Sequence, residues 1–364
     1  MTERILTTSE LNRSLFARQL LAERSTLPLT AALEQVGGLQ TQYAPSGYVG
    51  LWSRLRDFRR DALTIALEER RVVQATLMRS TIHLVSAADY PILAAGLRRS
   101  RREWWSRVRR ADLDGLDMDA AVERVRPFLA ERPRRQAEIL EFLAGEGLPR
   151  VVWDGLGAWL DLVRVPPSGT WERRRADLYA PADAWLGPST AGEDEGLELL
   201  VRRYLAGFGP ATLADIASWA GVPAPTIRSA AERIDLRRLR GESGGELFDV
   251  RDVDLPNGDA PLPVRFLPTW DANLLVHARR TLVMPERHRP IIFNTKAPQS
   301  FPTFLVDGAV AGRWRFADGR IELDPFEPLP ARTMRELEAE ADRLAAFHGD
   351  EGSARRPPVA QSPR

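Results

Sequence analysis

Cysteine is absent from this 364-residue chain, and lysine, histidine and long apolar runs are scarce. Without cysteine, the chain can form no disulfide and offers no thiolate ligand for a metal. Of its four histidines, His277 and His288 lack acidic ligands arranged around them, so we predict no metal site. Glycine-rich phosphate loops, His-Glu-x-x-His pairs and serine nucleophile motifs are also missing from the sequence, and we predict no cofactor.

Apolar segments are short throughout the sequence. No run approaches the about 18 apolar residues that cross a membrane, and the first residues contain no apolar signal core. We therefore predict a cytoplasmic protein without membrane contact. The net charge of +1 argues mildly against strong nonspecific binding to nucleic acid. All the basic residues except Lys296 are arginine. Arginine suits phosphate and guanine contacts, although codon usage in a GC-rich genome accounts for the same excess.

One order of elements occurs three times along the chain: a helix, a turn, a second helix and a β-hairpin. This is the order of a winged helix. The predicted helices lie at 31–36 and 45–55, at 136–143 and 152–160, and at 213–220 and 226–234. The predicted hairpins follow them at 72–85, 162–179 and 236–250. Because a repeated supersecondary unit sets the architecture, we predict an α+β fold with three tandem winged-helix units.

The pattern changes near residue 258 to short strands interrupted by proline and glycine. These strands are predicted at 264–267, 273–276, 290–293, 303–306, 312–316 and 320–323. They indicate a small antiparallel β-barrel, which a C-terminal helix at 332–347 follows. The first predicted domain, 1–118, contains the first unit and a long helix that Ser86 and Asp89 cap. The other two units form the domains 119–190 and 191–257. The barrel and the closing helix form the domain 258–348, and a disordered tail follows at 349–364.

Two glutamines, Gln40 and Gln42, follow the predicted helix at 28–36 and the diglycine at 37–38. This context resembles the glutamine–any residue–glutamine motif of the AlkZ-type winged-helix DNA glycosylases. One branch of that family has aspartate at the second motif position, whereas this chain has Gln42. Further stretches are similar to the family, at 78–84, 267–275, 304–308 and 312–314. Together with the motif, the resemblance covers roughly residues 5 to 348.

The resemblance implies a monofunctional DNA glycosylase, with Gln40 and Gln42 as catalytic residues and double-stranded DNA with an alkylated purine as substrate. It also implies that the enzyme hydrolyses the N-glycosidic bond of bulky N7-alkylated purines, in self-resistance to a genotoxic natural product. Water is the expected nucleophile, because the single lysine, Lys296, lies far along the sequence from the glutamines. A glutamine carbonyl oxygen can accept a hydrogen bond from that water, and the amide NH₂ can donate to a sugar or phosphate oxygen. Outside this family context, the same pair is an ordinary solvated helix end.

The predicted hairpin at 72–85 supplies three candidate DNA contacts. Arg79 lies at its tip, and wing tips commonly approach DNA, so we predict a phosphate or groove contact. Thr81 and His83 follow on the second strand as further DNA-binding candidates, with a structural, partly buried histidine as the alternative for His83. Trp104 and Trp105 stand among arginines in the long helix, and they suit either base stacking or a place in the core.

Two other functions remain open at the level of sequence. A transcription regulator with tandem winged helices would bind DNA without catalysis, but regulators are usually symmetric dimers that bind palindromes. Three unequal units in one chain fit a monomer that recognises a single lesion. A resistance protein that sequesters the free genotoxin is the other alternative.

Overall fold

The structure is a computed structural model that describes residues 4–251, 253–275, 282–294 and 299–349. The first part of the chain contains β1 (Ile5–Leu6), α1 (Thr8–Arg18), α2 (Leu29–Gln35), β2 (Leu39–Gln40), α3 (Ala44–Arg54), α4 (Arg60–Glu68), β3 (Val72–Thr76), β4 (Ile82–Ser86) and α5 (Asp89–Val108). The next part contains α6 (Met118–Ala130), β5 (Arg134–Arg135), α7 (Gln136–Gly145), α8 (Val151–Trp159), β6 (Leu162–Arg164), β7 (Leu178–Pro181) and α9 (Ala182–Leu186). His277, Lys296 and the tail beyond residue 349 lie outside the described residues.

The third part contains α10 (Glu193–Phe208), α11 (Leu213–Ala220), α12 (Ala224–Glu232), β8 (Leu236–Gly241) and β9 (Glu246–Val250). The last part contains β10 (Arg265–Leu267), α13 (Arg289–Ile292), β11 (Phe293–Asn294), β12 (Gln299–Ser300), β13 (Thr303–Val306), β14 (Ala309–Ala317), β15 (Arg320–Pro325) and α14 (Ala331–Gly349). The chain therefore has a mixed α+β fold, as the sequence predicts.

Each predicted pair of helices is followed by an antiparallel pair of strands. The three strand pairs are β3 with β4, β6 with β7, and β8 with β9. The first two hairpins join in one six-stranded sheet of order β2-β4-β3-β6-β7-β5, because β3 also pairs with β6. The elements of the three units are thus present, whereas their assignment as winged helices and the domain boundaries stay predictions.

The predicted barrel is not confirmed. In the described part of the C-terminal region, β10, β13, β14 and β15 form an open four-stranded antiparallel sheet in that order. Helix α14 packs beside this sheet, where Leu337 and Leu344 share a core cluster with Phe266, Phe304 and Trp314. Apolar side chains of the sheet are therefore buried by a helix, and burying them does not require the sheet to close on itself.

Two of the predicted C-terminal strands are wrong. Residues 272–274 form a 3₁₀ turn, because the Asp271 carboxylate accepts a hydrogen bond from the backbone N–H of Asn273. Residues 289–292 form α13, whose early Pro290 suits the first turn of a helix because proline lacks the N–H that is unused there. In both segments a local capping feature outweighs the apolar run that suggested a strand.

The long helix α5 attaches the first unit to α10 of the third. The two helices cross at Gly96 and Gly196, where a β-carbon on Gly96 would lie 2.5 Å from the carbonyl carbon of Gly196. At the start of α5, the backbone N–H of Asp89 donates to Ser86 Oγ over 3.1 Å, as the predicted cap requires. The Asp89 carboxylate instead pairs with Arg203 of α10 over 2.7 Å. Half of the predicted capping box is thus present, and the Asp89 carboxylate holds α5 and α10 together instead of completing the box.

A buried ion pair connects α3 to the segment after β10. The Arg54 guanidinium donates to the Asp271 carboxylate over 2.9 Å, and both side chains are 1% exposed. Gln19 and Asn273 complete the network through hydrogen bonds to Arg54 and Asp271. Since each charge depends on the other for compensation, the loss of one partner leaves an uncompensated buried charge.

We expect Asp271→Ala to lower the free energy of unfolding by about 3 to 5 kcal/mol, because Arg54 then stays buried without its carboxylate. Urea denaturation followed by far-ultraviolet circular dichroism measures this loss. Glu336→Ala is the control, since it removes the exposed pair with Arg332 and should cost less than about 1 kcal/mol. Equal losses in the two variants would contradict the structural role of the buried pair.

Candidate active site

The glutamine motif is held against the first hairpin by a short strand. Gly37 and Gly38, with φ of 74° and 79°, turn the chain from α2 into β2. A β-carbon on Gly38 would lie 2.8 Å from Val85 Cγ1, so the second glycine allows β2 to approach β4 closely. The strands pair antiparallel with Gln40 opposite His83, and the Thr41 N–H donates to the Ile82 carbonyl over 2.8 Å. The motif therefore runs along the edge of the six-stranded sheet.

Gln40 is buried, and its amide is fixed by the tip of the hairpin. Its side chain is 6% exposed, and its Oε1 accepts a hydrogen bond from Arg79 Nη2 over 2.8 Å. A guanidinium group can only donate, so the carbonyl end of the amide faces Arg79 and the NH₂ end points elsewhere. One lone pair of Gln40 Oε1 is therefore occupied within the protein.

Gln42 is exposed, and it is fixed by the same hairpin through a different donor. Its Oε1 accepts a hydrogen bond from the backbone N–H of Ile82 over 2.7 Å. This side-chain contact continues the strand pairing at the point where the backbone ladder of β2 and β4 ends. A carbonyl oxygen has two lone pairs, so Gln42 Oε1 can still accept from a water molecule while it is anchored. The predicted use of this oxygen to hold a water is compatible with the geometry.

Arg79 connects the hairpin tip to the third unit. It lies in the turn of 78–80 with a φ of 51°, and its Nη1 donates to the backbone carbonyl of Trp219 over 2.6 Å. Trp219 is in the last turn of α11, where carbonyl groups lack helical partners and a cation is favoured. The turn after α11 packs on the same place, because a β-carbon on Gly221 would lie 3.1 Å from Arg79 Cα. The guanidinium group thus bridges Gln40 and α11.

Burial lowers the pKa of Arg79 to about 10, which leaves it protonated at neutral pH. The sequence predicted that this side chain extends from the hairpin tip towards DNA. In the structure it is half-buried, and both terminal nitrogens donate within the protein. A DNA contact of Arg79 stays a prediction, while its contact with Gln40 is a feature that the sequence did not suggest.

His83 and Thr81 also make contacts within the hairpin. The His83 side chain is 2% exposed, and burial, followed by the charge of Arg79, lowers its pKa to about 3. Its Nδ1 lies 3.0 Å from the Thr81 carbonyl, so the neutral ring carries its proton on Nδ1. Thr81 Oγ1 donates to the Met78 carbonyl over 3.0 Å. The burial of His83 favours the structural alternative, and DNA contacts of both residues stay predictions.

Two contacts of the site are made by backbone groups that sequence reasoning missed, the Trp219 carbonyl and the Ile82 N–H. Neither could be found from residue types, because every residue except proline carries the same groups. In the ranges that the structure describes, no group of histidine, aspartate and glutamate side chains is arranged to hold a metal ion. In the same ranges, no helix has the length and apolar character of a membrane span.

Residues 33–347 match the sequence model of a family described as DNA glycosylase AlkZ-like. Since this match includes most of the chain, the protein belongs to the AlkZ-like DNA glycosylase family, a family of enzymes.

The chain is similar to a relative and to a solved structure, both from Streptomyces sahachiroi. The chain is 22% identical over 358 residues to an interstrand DNA cross-link repair glycosylase, with 91% of this chain and 94% of the relative covered. Its fold is similar to the solved structure of the DNA glycosylase AlkZ, with a TM-score of 0.78, 19% identity and coverage of 94% of this chain and 97% of that one.

Proposed function

We propose that the protein is a monofunctional DNA glycosylase that hydrolyses the N-glycosidic bond of bulky N7-alkylated purines in double-stranded DNA. Family membership supports the reaction class, and a relative named for interstrand cross-link repair supports crosslinked DNA as a substrate. The proposal includes a monomeric, cytoplasmic enzyme that uses no cofactor and serves in self-resistance to a genotoxic natural product. It also includes three winged-helix units as the DNA-binding framework.

The chemistry needs little from the protein beyond positioning. An N7-alkylated purine is already cationic, so its departure from the sugar needs little help from a general acid. The enzyme has to hold a water beside the anomeric carbon and place negative dipole ends near the positive charge that develops on the deoxyribose. Positioning and preorganised electrostatics can supply much of the rate of such a step. Neutral amides suit this task because they orient a water without being strong bases.

The two glutamines take different roles in this proposal. The observation that carries it is the anchoring of both amide oxygens to one hairpin, Gln40 to Arg79 and Gln42 to the Ile82 N–H. Gln42 is exposed, and the donor to its Oε1 is an uncharged backbone N–H. We therefore assign Gln42 Oε1 to the water. The Gln40 oxygen lies beside a guanidinium cation, which would repel the positive charge on the sugar. We therefore assign the Gln40 NH₂ to a sugar or phosphate oxygen, with Arg79 as the positioning residue.

We expect Arg79→Ala to lower the excision rate by about tenfold or more, because Gln40 loses the donor that orients its amide. Because a phosphate contact of Arg79 is also proposed, the slope of log Kd against log salt concentration for undamaged duplex should become smaller by about 0.9. Arg70→Ala is a matched control, since Arg70 also has a positive φ and donates to a tryptophan carbonyl, that of Trp185. An unchanged slope in Arg79→Ala would show that Arg79 does not contact a phosphate and acts only on Gln40.

The proposed function is tested with duplex DNA that carries one N7-alkylguanine, simple in one set and bulky in another. Incubation with the protein followed by alkaline treatment should cleave the strand at the abasic site that excision leaves. Intact strands with every lesion would contradict the proposal. Sequence-specific binding to an operator without excision would support the regulator alternative, and calorimetric binding of free genotoxin without DNA would support the sequestering one.

A further inference from the structure

A cavity lies beside the tip of the same hairpin. It has a volume of about 480 Å³, and α5, α8 and the strands β3, β6 and β7 contribute to its walls. Thr76 and Ser80 of the hairpin line it, and Ser80 is the residue directly after Arg79, which contacts Gln40. The cavity therefore adjoins the candidate active site through one turn of chain.

Buried positive charge is concentrated at this cavity. Its walls contain Arg101, Arg109 and Arg164 but only one carboxylate, Asp154, which lies 3.7 Å from Arg109. Arg101 donates to the Gly157 carbonyl. In the described ranges, neither Arg101 nor Arg164 forms an ion pair, although the charge of Asp161 acts on Arg101. Arg164 donates to Thr76 Oγ1 over 3.3 Å and lies over the Tyr179 ring. The Nε atom of each arginine is buried without a hydrogen bond. A buried cation without a contacting carboxylate is costly, so two such arginines beside an open cavity favour the binding of an anion there.

The aromatic pair of α5 is divided between the core and this cavity. Trp105 is 7% exposed and packs edge-to-face on Trp159, with ring centroids 5.5 Å apart. Trp104 is 46% exposed and lines the cavity, as does Val108, which is 58% exposed. An exposed indole beside arginine side chains is the combination that binds a base and its phosphate in single-stranded nucleic acid.

We propose that this cavity binds one unpaired nucleotide of the DNA, with its phosphate at Arg101 and Arg164 and its base stacked on Trp104. The nucleotide has to be unpaired and outside the stack, because both faces of a base stacked in the duplex are covered by its neighbours. A nucleotide held there would fix the DNA strand relative to the hairpin that carries Gln40 and Gln42. The inference rests on the proposed function, since it takes DNA as the ligand.

The test compares the dissociation constants of two undamaged duplexes that differ only in a single-nucleotide bulge. The wild-type protein should bind the bulged duplex more tightly than the fully paired one. Trp104→Ala should lose about tenfold in affinity for the bulged duplex and keep its affinity for the paired one. Trp185→Ala is the control, because Trp185 also contacts an arginine, Arg70, but lies outside the cavity.

Arg164→Gln tests the phosphate contact. It should reduce the salt dependence of binding to the bulged duplex by roughly 0.9 in slope, the contribution of one phosphate. Arg265→Gln is its control, since Arg265 is also buried with an unpaired Nε but does not line the cavity. If Arg164→Gln does not fold, the exposed Trp104 still decides the outcome.

An equal preference for the bulged duplex in wild type and Trp104→Ala would overturn the inference, as would the lack of any preference in the wild type. If the protein still excises N7-alkylguanine in either case, only the inference about the cavity is wrong and the proposed function is unaffected. A protein that neither binds duplex DNA nor excises a base would refute both.

Discussion

Gln42→Ala should lower the rate of base excision by more than about tenfold and leave DNA affinity within a few-fold of wild type. The exposed Gln42 oxygen is anchored to the Ile82 N–H and keeps one lone pair, which we assign to the attacking water. Its loss removes an interaction that acts on the transition state, so single-turnover excision should fall while binding persists. Single-turnover kinetics on a duplex with one N7-alkylguanine, together with fluorescence anisotropy for binding, separates the two effects.

Two further variants distinguish the roles of the glutamines. Gln40→Ala should also lower excision by more than about tenfold, but less than Gln42→Ala, because Gln40 is assigned to orientation of the substrate. Gln42→Glu should retain more activity than Gln42→Ala, since a carboxylate oxygen can accept from both Ile82 and the water. Gln35→Ala is the matched control, because the Gln35 side-chain amide on α2 donates to the Ala206 carbonyl away from the motif. Wild-type excision rates in both Gln40→Ala and Gln42→Ala would place catalysis elsewhere.

Excision should depend on the leaving group more strongly than on the shape of the lesion. We expect N7-alkylguanines with small and large substituents to be released, whereas uracil and hypoxanthine should be released at least about 100-fold more slowly. That factor is the lower end of what a general acid contributes, and without protonation a neutral base leaves as a poorly stabilised anion. Neither amide can supply a proton. The imidazole of His83, opposite Gln40, is held neutral with a pKa of about 3.

The measurement is a set of single-turnover rates on otherwise identical duplexes, each with one modified base. Protein heated before the assay controls for spontaneous depurination, which N7-alkylguanine undergoes without an enzyme. A bulky adduct is difficult to rotate into a tight pocket, so we expect the lesion to be recognised in an open channel while it stays in the helix. Such a channel should tolerate large substituents. Rapid excision of uracil would contradict both the mechanism and the assignment of Gln40 and Gln42.

The local elements could be predicted from the sequence because their causes lie within a few residues. Apolar spacing and the following Gly221 indicated α11, and the structure places it at Leu213–Ala220. The hairpin of β3 and β4 was predicted with its turn at 78–80, where the structure has it. The position of the glutamine motif after a diglycine was also visible, and both glycines adopt the positive φ that the turn requires.

The tertiary structure decided what depends on residues that are distant in the sequence. Arg79 donates to Gln40 and to Trp219, which are 39 and 140 positions away along the chain, and no local pattern records either contact. In the described part of the C-terminal region, four strands form an open sheet, and α14 buries apolar side chains of that sheet. Trp104 and Trp105 are adjacent in sequence, yet only the packing of α5 on α8 separates an exposed indole from a buried one. Periodicity and turn residues act locally, whereas the partners of a buried polar group are chosen by the whole fold.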